Sequence, residues 1–407
     1  MASGPLDGIR VLSLEHYLAG NHGTWLMSLF GAEIVKIERP GSGDVLRGVG
    51  PFIEHNGQRR SGGEMRVMGN KKSVALDITS IAGREIFFKL VESSDVVWTN
   101  QKPSTLSRLD ITFDSLKLRK PDIVYATLSG FGHGDLASSG PLSEARAFDL
   151  IAQGLAGLQF RAGSEDGGPG YNGLALGDEV TSTLTVLGVV MALYRRKCEG
   201  GAQRVDVAMH DAMVFVNELA LGSLSVLGRV PPRGRSGTSA PYGSFVSNNG
   251  WVNIAIGGDP LWRRFCEAIE RFDLIDDERY ISSFGRVTHV ESLERIVGDW
   301  TSSRSTEEIV EALQRFGVPC APVLDIPEVL VSEQVSARKM LIEIDDPIAG
   351  QTKVVGNPVK MNELDNAFAD PPPLVGQDTM DVLTAYAGLT SEEVMLLAGQ
   401  GVVSVST

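Results

Sequence analysis

The sequence of 407 residues has few cysteines, few histidines and no long run of basic residues. Its three cysteines, Cys198, Cys266 and Cys320, lie far apart and form no C-x-x-C pair, which indicates a reducing compartment. The six histidines show neither H-x-x-x-H nor H-E-x-x-H spacing, so no metal site is predicted. The formal net charge of −14 argues against nucleic acid and anionic membranes as partners.

Several motifs of nucleotide-binding and hydrolytic enzymes are also missing. The turn after the first predicted strand, H-Y-L-A-G-N-H-G at 16–23, lacks the G-x-G-x-x-G that lets a backbone approach a pyrophosphate. No Walker motif and no G-x-S-x-G occurs, which argues against nucleotide hydrolysis and a serine nucleophile. The N-terminus has no signal-peptide pattern, and the apolar run near 183–194 is too short to span a bilayer. We therefore expect a soluble cytoplasmic protein.

The composition and the order of apolar segments predict an α/β fold. Hydrophobic residues make up 43% and charged residues 22%, as in ordinary globular proteins. Buried-strand patterns occur at 8–15, 32–39, 73–78, 95–100, 122–128 and 203–207. Helical patterns occur at about 19–31, 148–160, 179–196 and 208–228. This alternation predicts a parallel sheet with right-handed crossovers.

We expect three segments along the chain. Residues 1–229 are predicted to form a large Rossmann-like α/β domain, and 230–325 a smaller α+β domain. Residues 326–407 are predicted to return to the large domain. The stretch 230–245 is rich in Gly, Pro and Ser, which indicates a linker or loop. The N-G pair within S-F-V-S-N-N-G-W-V-N-I-A-I, at 244–256, predicts a β-hairpin.

An acidic residue stands at the head of a long apolar helical pattern. Asp178 follows Gly177 in L-A-L-G-D-E-V-T-S, and the apolar run after it ends at Arg195 and Arg196. Such an Asp is typical of a helix N-cap, where the carboxylate accepts backbone N–H bonds and the helix dipole favours its charge. The residues alone leave two interpretations open, a cap and a catalytic carboxylate.

Basic residues lie near the ends of several predicted strands. They are Arg39, Lys71, Lys72, Arg108 and Arg146. Residues just past the carboxyl ends of parallel strands line the ligand crevice of an open sheet, so one interpretation is a site for a phosphorylated ligand. Taken singly, each of these residues is better explained as a solvated surface charge.

Seven segments in chain order point to one enzyme family. They are P-L-D-G-I-R-V-L-S-L from 5, F-G-A-E-I-V-K-I-E-R-P-G-S-G-D from 30, N-K-K-S-V-A-L-D from 70, A-L-G-D from 175, V-D-V-A-M-H-D-A from 205, F-G-V-P-C-A-P-V from 316 and P-L-V-G-Q-D-T from 373. Together they resemble the class III CoA-transferases, the family of formyl-CoA transferase and carnitine CoA-transferase. The resemblance implies an interlocked homodimer that uses coenzyme A as a substrate and needs no cofactor.

The resemblance implies that Asp178 is a nucleophile. Its carboxylate would attack an acyl-CoA thioester to give a mixed anhydride, which CoA thiolate would convert into an aspartyl-CoA thioester; an acceptor acid would then reverse both steps. The free N–H groups of a helix N-terminus are expected to keep this carboxylate ionised at neutral pH. The positions that match CoA contacts of the family are Arg39, Leu76, Asn100, Arg108 and Arg146.

Two departures from the family pattern bear on the substrate. Leu18 stands where formyl-CoA transferase has a Gln, and R-G-R-S-G-T-S-A-P-Y-G at 233–243 replaces a glycine run. Both favour an acid bulkier than formate, with succinyl-CoA as a fitting donor and a dicarboxylic or aromatic acid such as benzylsuccinate as acceptor.

Two other functions stay open. Related acyl-CoA racemases carry a His before an Asp where this chain has Phe148 and Asp149. Without that His one of the two bases for α-proton exchange is missing, so a 2-methylacyl-CoA racemase is the alternative. Some family members pair an active chain with one that lacks the nucleophile. A subunit of a heteromeric CoA-transferase is therefore a further alternative.

Overall fold

The computed structural model describes residues 4–134, 136–137, 140–163, 167–362, 364 and 369–406. The chain divides into two compact units. The first comprises Met1–Leu158, Gly173–Asn217 and Glu333–Thr407, and the second comprises Gln159–Asn172 and Glu218–Ser332. The smaller unit thus includes residues 159–172 and 218–229, which the sequence-based division assigned to the large domain.

The secondary structure alternates strands and helices along most of the chain. The strands, in chain order, are β1 Arg10–Leu14, β2 Glu33–Glu38, β3 Phe52–His55, β4 Gln58–Ser61, β5 Lys71–Leu76, β6 Val96–Thr99, β7 Val124–Ser129, β8 Gln203–Ala208, β9 Tyr242–Val246, β10 Trp251–Ala255, β11 Cys320–Pro322, β12 Leu341–Asp346, β13 Gly350–Val355 and β14 Val403–Ser404. The helices are α1 Tyr17–Ser28, α2 Gly62–Val67, α3 Ile81–Glu92, α4 Pro103–Arg108, α5 Phe113–Arg119, α6 Asp149–Leu155, α7 Leu158–Arg161, α8 Leu176–Glu199, α9 Met209–Val216, α10 Glu218–Leu227, α11 Asp259–Ala268, α12 Ser283–Thr288, α13 Val290–Ser302, α14 Thr306–Arg315, α15 Ile326–Leu330, α16 Glu333–Ala337, α17 Thr379–Ala387 and α18 Ser391–Gly399. Short 3₁₀ turns lie at Val45–Gly48 and Phe272–Leu274.

A mostly parallel sheet forms the centre of the first unit. In the described part of the chain it has seven strands in the order β14-β5-β2-β1-β6-β7-β8. All neighbours pair in parallel except β14, which runs antiparallel to β5. The six predicted strands are therefore confirmed. Their order, 3-2-1-4-5-6, is that of a doubly wound sheet, which binds ligands where the order reverses, here between β1 and β6.

Helices cover both faces of this sheet. Successive strand residues point to opposite faces, so Val11 and Ile34 pack with α1, α8 and α9. Leu12 and Val35 pack with α3, α17 and α18 on the other face. A sheet that is covered on both faces needs strands that are apolar throughout, which is why these strands show as continuous hydrophobic runs in the sequence.

The long helices differ in detail from their predicted extents. The helix predicted at 148–160 divides into α6 and α7, and that at 208–228 into α9 and α10. Tertiary contact holds both breaks, since Asn217 Nδ2 donates to Ala156 O at 2.8 Å. Helix α8 is longer than predicted and, among the described residues, is long and apolar enough to cross a membrane. It packs against α1, β7 and β8, which makes it a core helix of the first unit.

The second unit contains the predicted hairpin. Strands β9, β10 and β11 form an antiparallel sheet that packs with α11, α13 and α14 around a core that includes Trp262 and Phe265. The hairpin loop spans the four residues 247–250 rather than a two-residue N-G turn, because Val246 pairs directly with Trp251. A two-residue Asn56-Gly57 turn does occur between β3 and β4, where both residues have positive φ, 50° and 76°.

A buried ionic cluster joins the strands β1, β2 and β5 of the first unit. Lys36 Nζ donates to Asp44 at 2.7 Å, and Lys71 Nζ donates to Glu15 at 2.7 Å. The side chains of all four residues are at most 1% exposed. Burial lowers the pKa of Lys71 to about 8, although the Glu15 carboxylate opposes this effect. Lys71 is therefore a core residue, and its interpretation as a solvated surface charge was wrong.

Neighbouring lysines on β5 provide a matched test of this burial. Lys72 pairs with Glu33 at 2.6 Å but is 44% exposed. We expect Lys71→Met to lower the free energy of unfolding by about 3–5 kcal/mol, since it removes the closer of the two lysines that pair with the buried Glu15 carboxylate. Lys72→Met should cost less than about 1 kcal/mol, because solvent screens an exposed pair. Urea unfolding measures the free energy of unfolding of both variants. Equal losses would contradict the assignment of Lys71 as a core residue.

Candidate active site

The carboxylate of Asp178 lies in the first turn of α8. The helix begins at Leu176, with Ala175 as its N-cap residue, so the N-cap interpretation of Asp178 was wrong. The side chain of Asp178 is partly buried, and it accepts no hydrogen bond from the residues that the structure describes. Asp178 therefore carries a carboxylate at a helix N-terminus that is not engaged in capping.

Asp149 supplies the cap of α8 from the start of α6. It is 8% exposed, and its Oδ1 accepts from the backbone N–H of Gly177 at 2.6 Å. Gln153 Nε2 donates to both oxygens of the same carboxylate, at 2.9 and 2.8 Å. A Cβ at position 177 would lie 2.9 Å from Asp149 Oδ1 and 3.2 Å from Asp149 Cα, so any side chain there would force Asp149 to shift. The capping role expected of Asp178 is thus filled by a second carboxylate.

Burial and neighbouring acids change the charge state of Asp178. Burial raises the pKa of its carboxyl to about 7, and the Asp149 and Glu179 carboxylates act in the same direction, while Arg66 opposes them. The expectation that the helix N-terminus keeps this group fully ionised at neutral pH was therefore wrong. A carboxyl group shifted this far is typical of a functional site.

Helix α1 borders the first turns of α8. Ser182 Oγ donates to Ala19 O at 2.6 Å, which joins the two helices close to Asp178. Leu18, directly before Ala19, packs with Trp25 against an apolar cluster of Leu46, Val67 and Met68. This edge of the site therefore offers an apolar side chain.

The turns after β1 and β6 meet at the reversal of strand order. Asn100 Oδ1 accepts from His16 N at 3.0 Å, and Asn100 Nδ2 donates to His16 O at 2.8 Å. The side-chain amide of Asn100 is thus used to hold the turn after β1. Tyr17 has a positive φ of 55°, which is uncommon for a residue other than glycine. Its N–H donates to Asp44 at 3.2 Å, and its ring meets that of Phe148 edge-on at 5.5 Å.

The remaining predicted contacts divide into exposed and buried residues. Arg39, Arg108 and Arg146 are exposed and form no ion pair with the described part of the chain. Burial lowers the pKa of His16, and Arg39 adds to this effect, so Arg39 lies within electrostatic range of the turn after β1. Leu76 is 2% exposed and lies in the core layer opposite α8, so its side chain is not available to a ligand.

Sequence reasoning missed two charged residues beside Asp178. Arg66, at the end of α2, places Nη2 3.3 Å from Glu179 Oε1. No sequence pattern marks Arg66, and the one signal for Glu179 is its place next to Asp178. In the described ranges, no three His, Cys, Asp or Glu residues are grouped so that they could hold a metal ion.

The raised pKa of Asp178 has a consequence for stability. Its folded-state pKa of about 7 exceeds its ordinary value of 3.8, so the folded protein keeps a proton that the unfolded chain releases. Stability should therefore fall as the pH rises from about 4 to about 7. At pH 8 we expect the melting temperature of Asp178→Asn to be at least about 2 °C above that of the parent protein. At pH 4 the two melting temperatures should be equal.

Thermal melts at the two pH values measure this difference, with Asp345→Asn as the control, because Asp345 is exposed on β12. A difference in melting temperature between Asp178→Asn and the parent that is the same at both pH values would contradict the raised pKa.

Comparisons with known proteins agree on one family. A family profile described as CoA-transferase family III matches residues 6–379. Succinyl-CoA:mesaconate CoA-transferase of Haloarcula hispanica is 36% identical over 387 residues, covering 93% of this chain and 96% of that protein. Formyl-CoA:oxalate CoA-transferase of Streptomyces coelicolor is 30% identical over 427 residues, covering 99% of this chain and 100% of that protein. The crystal structure of a CAIB/BAIF family protein from Brucella suis superposes with a TM-score of 0.80. It is 27% identical in sequence, and the match covers 94% of this chain and 100% of that chain.

The matched range contains Asp178 and every predicted CoA contact. Both enzymes align over nearly the whole of each chain, so the likeness is not confined to one unit. The resemblance found in the sequence is confirmed for the family and for the class of enzyme. This chain belongs to CoA-transferase family III.

Proposed function

We propose that this enzyme transfers CoA between carboxylic acids through Asp178, with succinyl-CoA as a donor and a dicarboxylic acid such as mesaconate as an acceptor. The observation that carries the proposal is the carboxylate of Asp178 in the first turn of α8, which Asp149 leaves free by capping the helix itself. The choice of acids is supported by the relative that is 36% identical over 93% of the chain, a succinyl-CoA:mesaconate CoA-transferase.

The first half-reaction forms an enzyme-bound thioester. An oxygen of the Asp178 carboxylate attacks the thioester carbonyl carbon, the C–S bond breaks, and the sulfur leaves as CoA thiolate. The product is a mixed anhydride between Asp178 and the donor acid. The thiolate then attacks the aspartyl carbonyl, the anhydride C–O bond breaks, and the donor acid leaves as a carboxylate. Asp178 now holds CoA as a thioester, so the energy of the donor bond is kept.

The second half-reaction repeats these steps in reverse. A carboxylate of the acceptor acid attacks the aspartyl thioester and expels CoA thiolate, which gives a second mixed anhydride. The thiolate attacks the acceptor's carbonyl and releases the Asp178 carboxylate with the new acyl-CoA. Neither half-reaction consumes a proton or water. The attacking form of Asp178 is the carboxylate, and with a pKa of about 7 that form predominates above neutral pH.

Exposed arginines supply the charge that CoA phosphates need. The guanidinium groups of Arg39, Arg108 and Arg146 have no ion pair with described residues, so their donors are available to an anionic ligand. Arg39 lies near the turn after β1, at the reversal of strand order, where a ligand of a doubly wound sheet is expected. A KM for acyl-CoA that stays unchanged in Arg39→Ala would remove Arg39 from this role.

The geometry does not support the racemase alternative, because it offers no second base for α-proton exchange among the residues that match the family's bases. Phe148 stands in the place of the His base, and the Asp149 carboxylate is held by Gly177 and Gln153. Proton exchange at an α-carbon needs a base on each face, whereas transfer through an anhydride needs one nucleophile.

We also propose that the active form is a homodimer in the cytoplasm. In the described part of the chain, α8 and α9 present exposed apolar side chains, Leu187, Val190, Met191, Tyr194 and Phe215. An exposed apolar face of this kind is typical of a protein–protein interface. A native mass equal to one chain would refute the dimer, and a mass that includes an unlike chain would favour the heteromeric alternative.

Replacing the nucleophile tests the proposal. We expect Asp178→Ala to lower kcat for CoA transfer from succinyl-CoA to mesaconate by at least about 10³-fold, because a covalent nucleophile has no substitute. The panel of acceptors should include isotopically labelled succinate and benzylsuccinate, with products read by mass spectrometry. The control is Asp345→Ala, because Asp345 is exposed on β12. Transfer within a few-fold of the parent enzyme in Asp178→Ala would sink the assignment.

A further inference from the structure

The site carries three carboxylates and one guanidinium within electrostatic reach of one another. Asp149 and Glu179 both oppose ionisation of Asp178, and Arg66 favours it. In the ranges that the structure describes, Arg66 is the one cation whose charge acts on Asp178 in this way. Any further anion that enters this region is repelled by three acids and attracted by Arg66.

Arg66 differs from the other arginines around α2. Arg47 is 10% exposed and donates to Glu38 and Glu64, while Arg60 is 2% exposed and donates to Asp346. These two guanidinium groups are therefore structural. The side chain of Arg66 is 57% exposed, and Glu179, 3.3 Å away and itself 41% exposed, is its one polar contact among the described residues. Most donors of Arg66 form no bond to this part of the chain and are open to a ligand.

The contact between Arg66 and Glu179 is easily exchanged. An exposed ion pair contributes little to stability, since it is screened by solvent and costs side-chain entropy. A guanidinium binds a carboxylate best with two parallel N–H···O bonds, which the single contact with Glu179 does not provide. Glu179 lies in the first turn of α8 with Asp178, and the charge of Arg66 acts on Asp178. A substrate carboxylate that replaces the Glu179 carboxylate on Arg66 therefore lies within electrostatic range of the nucleophile.

We infer that Arg66 binds the distal carboxylate of a dicarboxylic acid substrate, and that Glu179 holds the guanidinium when the acid is absent. This inference rests on the proposed function and adds to it the residue that selects the substrate class. A dicarboxylic acid brings one carboxylate to the CoA group on Asp178 and keeps a second negative charge near Asp149 and Glu179. Arg66 neutralises that second charge, and a monocarboxylic acid has no group for it.

The test compares acids that differ only in the distal group. In a mechanism with an enzyme–CoA intermediate, kcat/KM for the acceptor reports only the step between that intermediate and the acceptor. With succinyl-CoA as donor, this ratio is measured for mesaconate against (E)-2-methylbut-2-enoate and for isotopically labelled succinate against butyrate. Each pair replaces one carboxylate by a methyl group and leaves the reacting end unchanged.

We expect Arg66→Ala to lower kcat/KM for both dicarboxylic acids by about 10–100-fold, the effect of losing a charge-assisted hydrogen bond. The monocarboxylic acids should change by less than about 3-fold. Arg66→Lys should keep part of the preference, because it keeps the charge and loses the two-bond geometry. Arg59→Ala is the matched control, since Arg59 is exposed and stacks on the Phe52 ring of the β3–β4 hairpin.

Two results with Arg66→Ala would overturn the inference alone. An equal loss of kcat/KM for both members of each pair would make Arg66 a structural residue. A kcat/KM for the dicarboxylic acids that is unchanged in Arg66→Ala would remove Arg66 from the site. A parent enzyme that transfers CoA to none of the four acids would overturn the proposed function together with the inference. The two failures are thus distinguished by the activity of the parent enzyme.

Discussion

The hydrogen bond from the Gly177 N–H to the buried Asp149 carboxylate, 2.6 Å long, is the contact on which the site depends. It satisfies a free N–H at the start of α8, and it brings a second negative charge close to Asp178. The first effect spares the Asp178 carboxylate from capping, and the second raises its pKa together with burial. The absence of a side chain at Gly177 permits the approach, since a Cβ would lie 2.9 Å from the Asp149 oxygen.

The buried ions of the sheet and the site form one connected structure. Asp44, which Lys36 holds in the core, accepts from the N–H of Tyr17, and the Tyr17 ring contacts Phe148 directly before Asp149. The buried Asp44 carboxylate thus holds the turn after β1, and this turn borders the start of α6. This connection gives a physical reason for retaining an ion cluster whose burial is costly. It holds the positive φ of Tyr17 against its preference for other conformations.

Much of this arrangement could be predicted from the sequence, and the rest could not for identifiable reasons. Continuous apolar strands between helical patterns predicted the parallel sheet, and the A-L-G-D segment predicted the position of Asp178. The capping carboxylate could not be predicted, because Asp149 lies 28 residues before Gly177 and meets it only through tertiary packing. Lys71 and Lys72 are alike in the sequence, yet one is buried and the other 44% exposed, since strand neighbours face opposite layers. Arg66 belongs to no recognisable motif.

The central claim is that Asp178 becomes covalently activated during transfer. The most direct measurement incubates the enzyme with succinyl-CoA and hydroxylamine, without an acceptor acid, and locates modified peptides by mass spectrometry. Hydroxylamine captures an activated aspartyl carbonyl as a hydroxamate. We predict a mass increase confined to the peptide that contains Asp178, and none when succinyl-CoA is left out. An active enzyme whose Asp178 peptide stays unmodified, or a hydroxamate on another carboxylate, would contradict it.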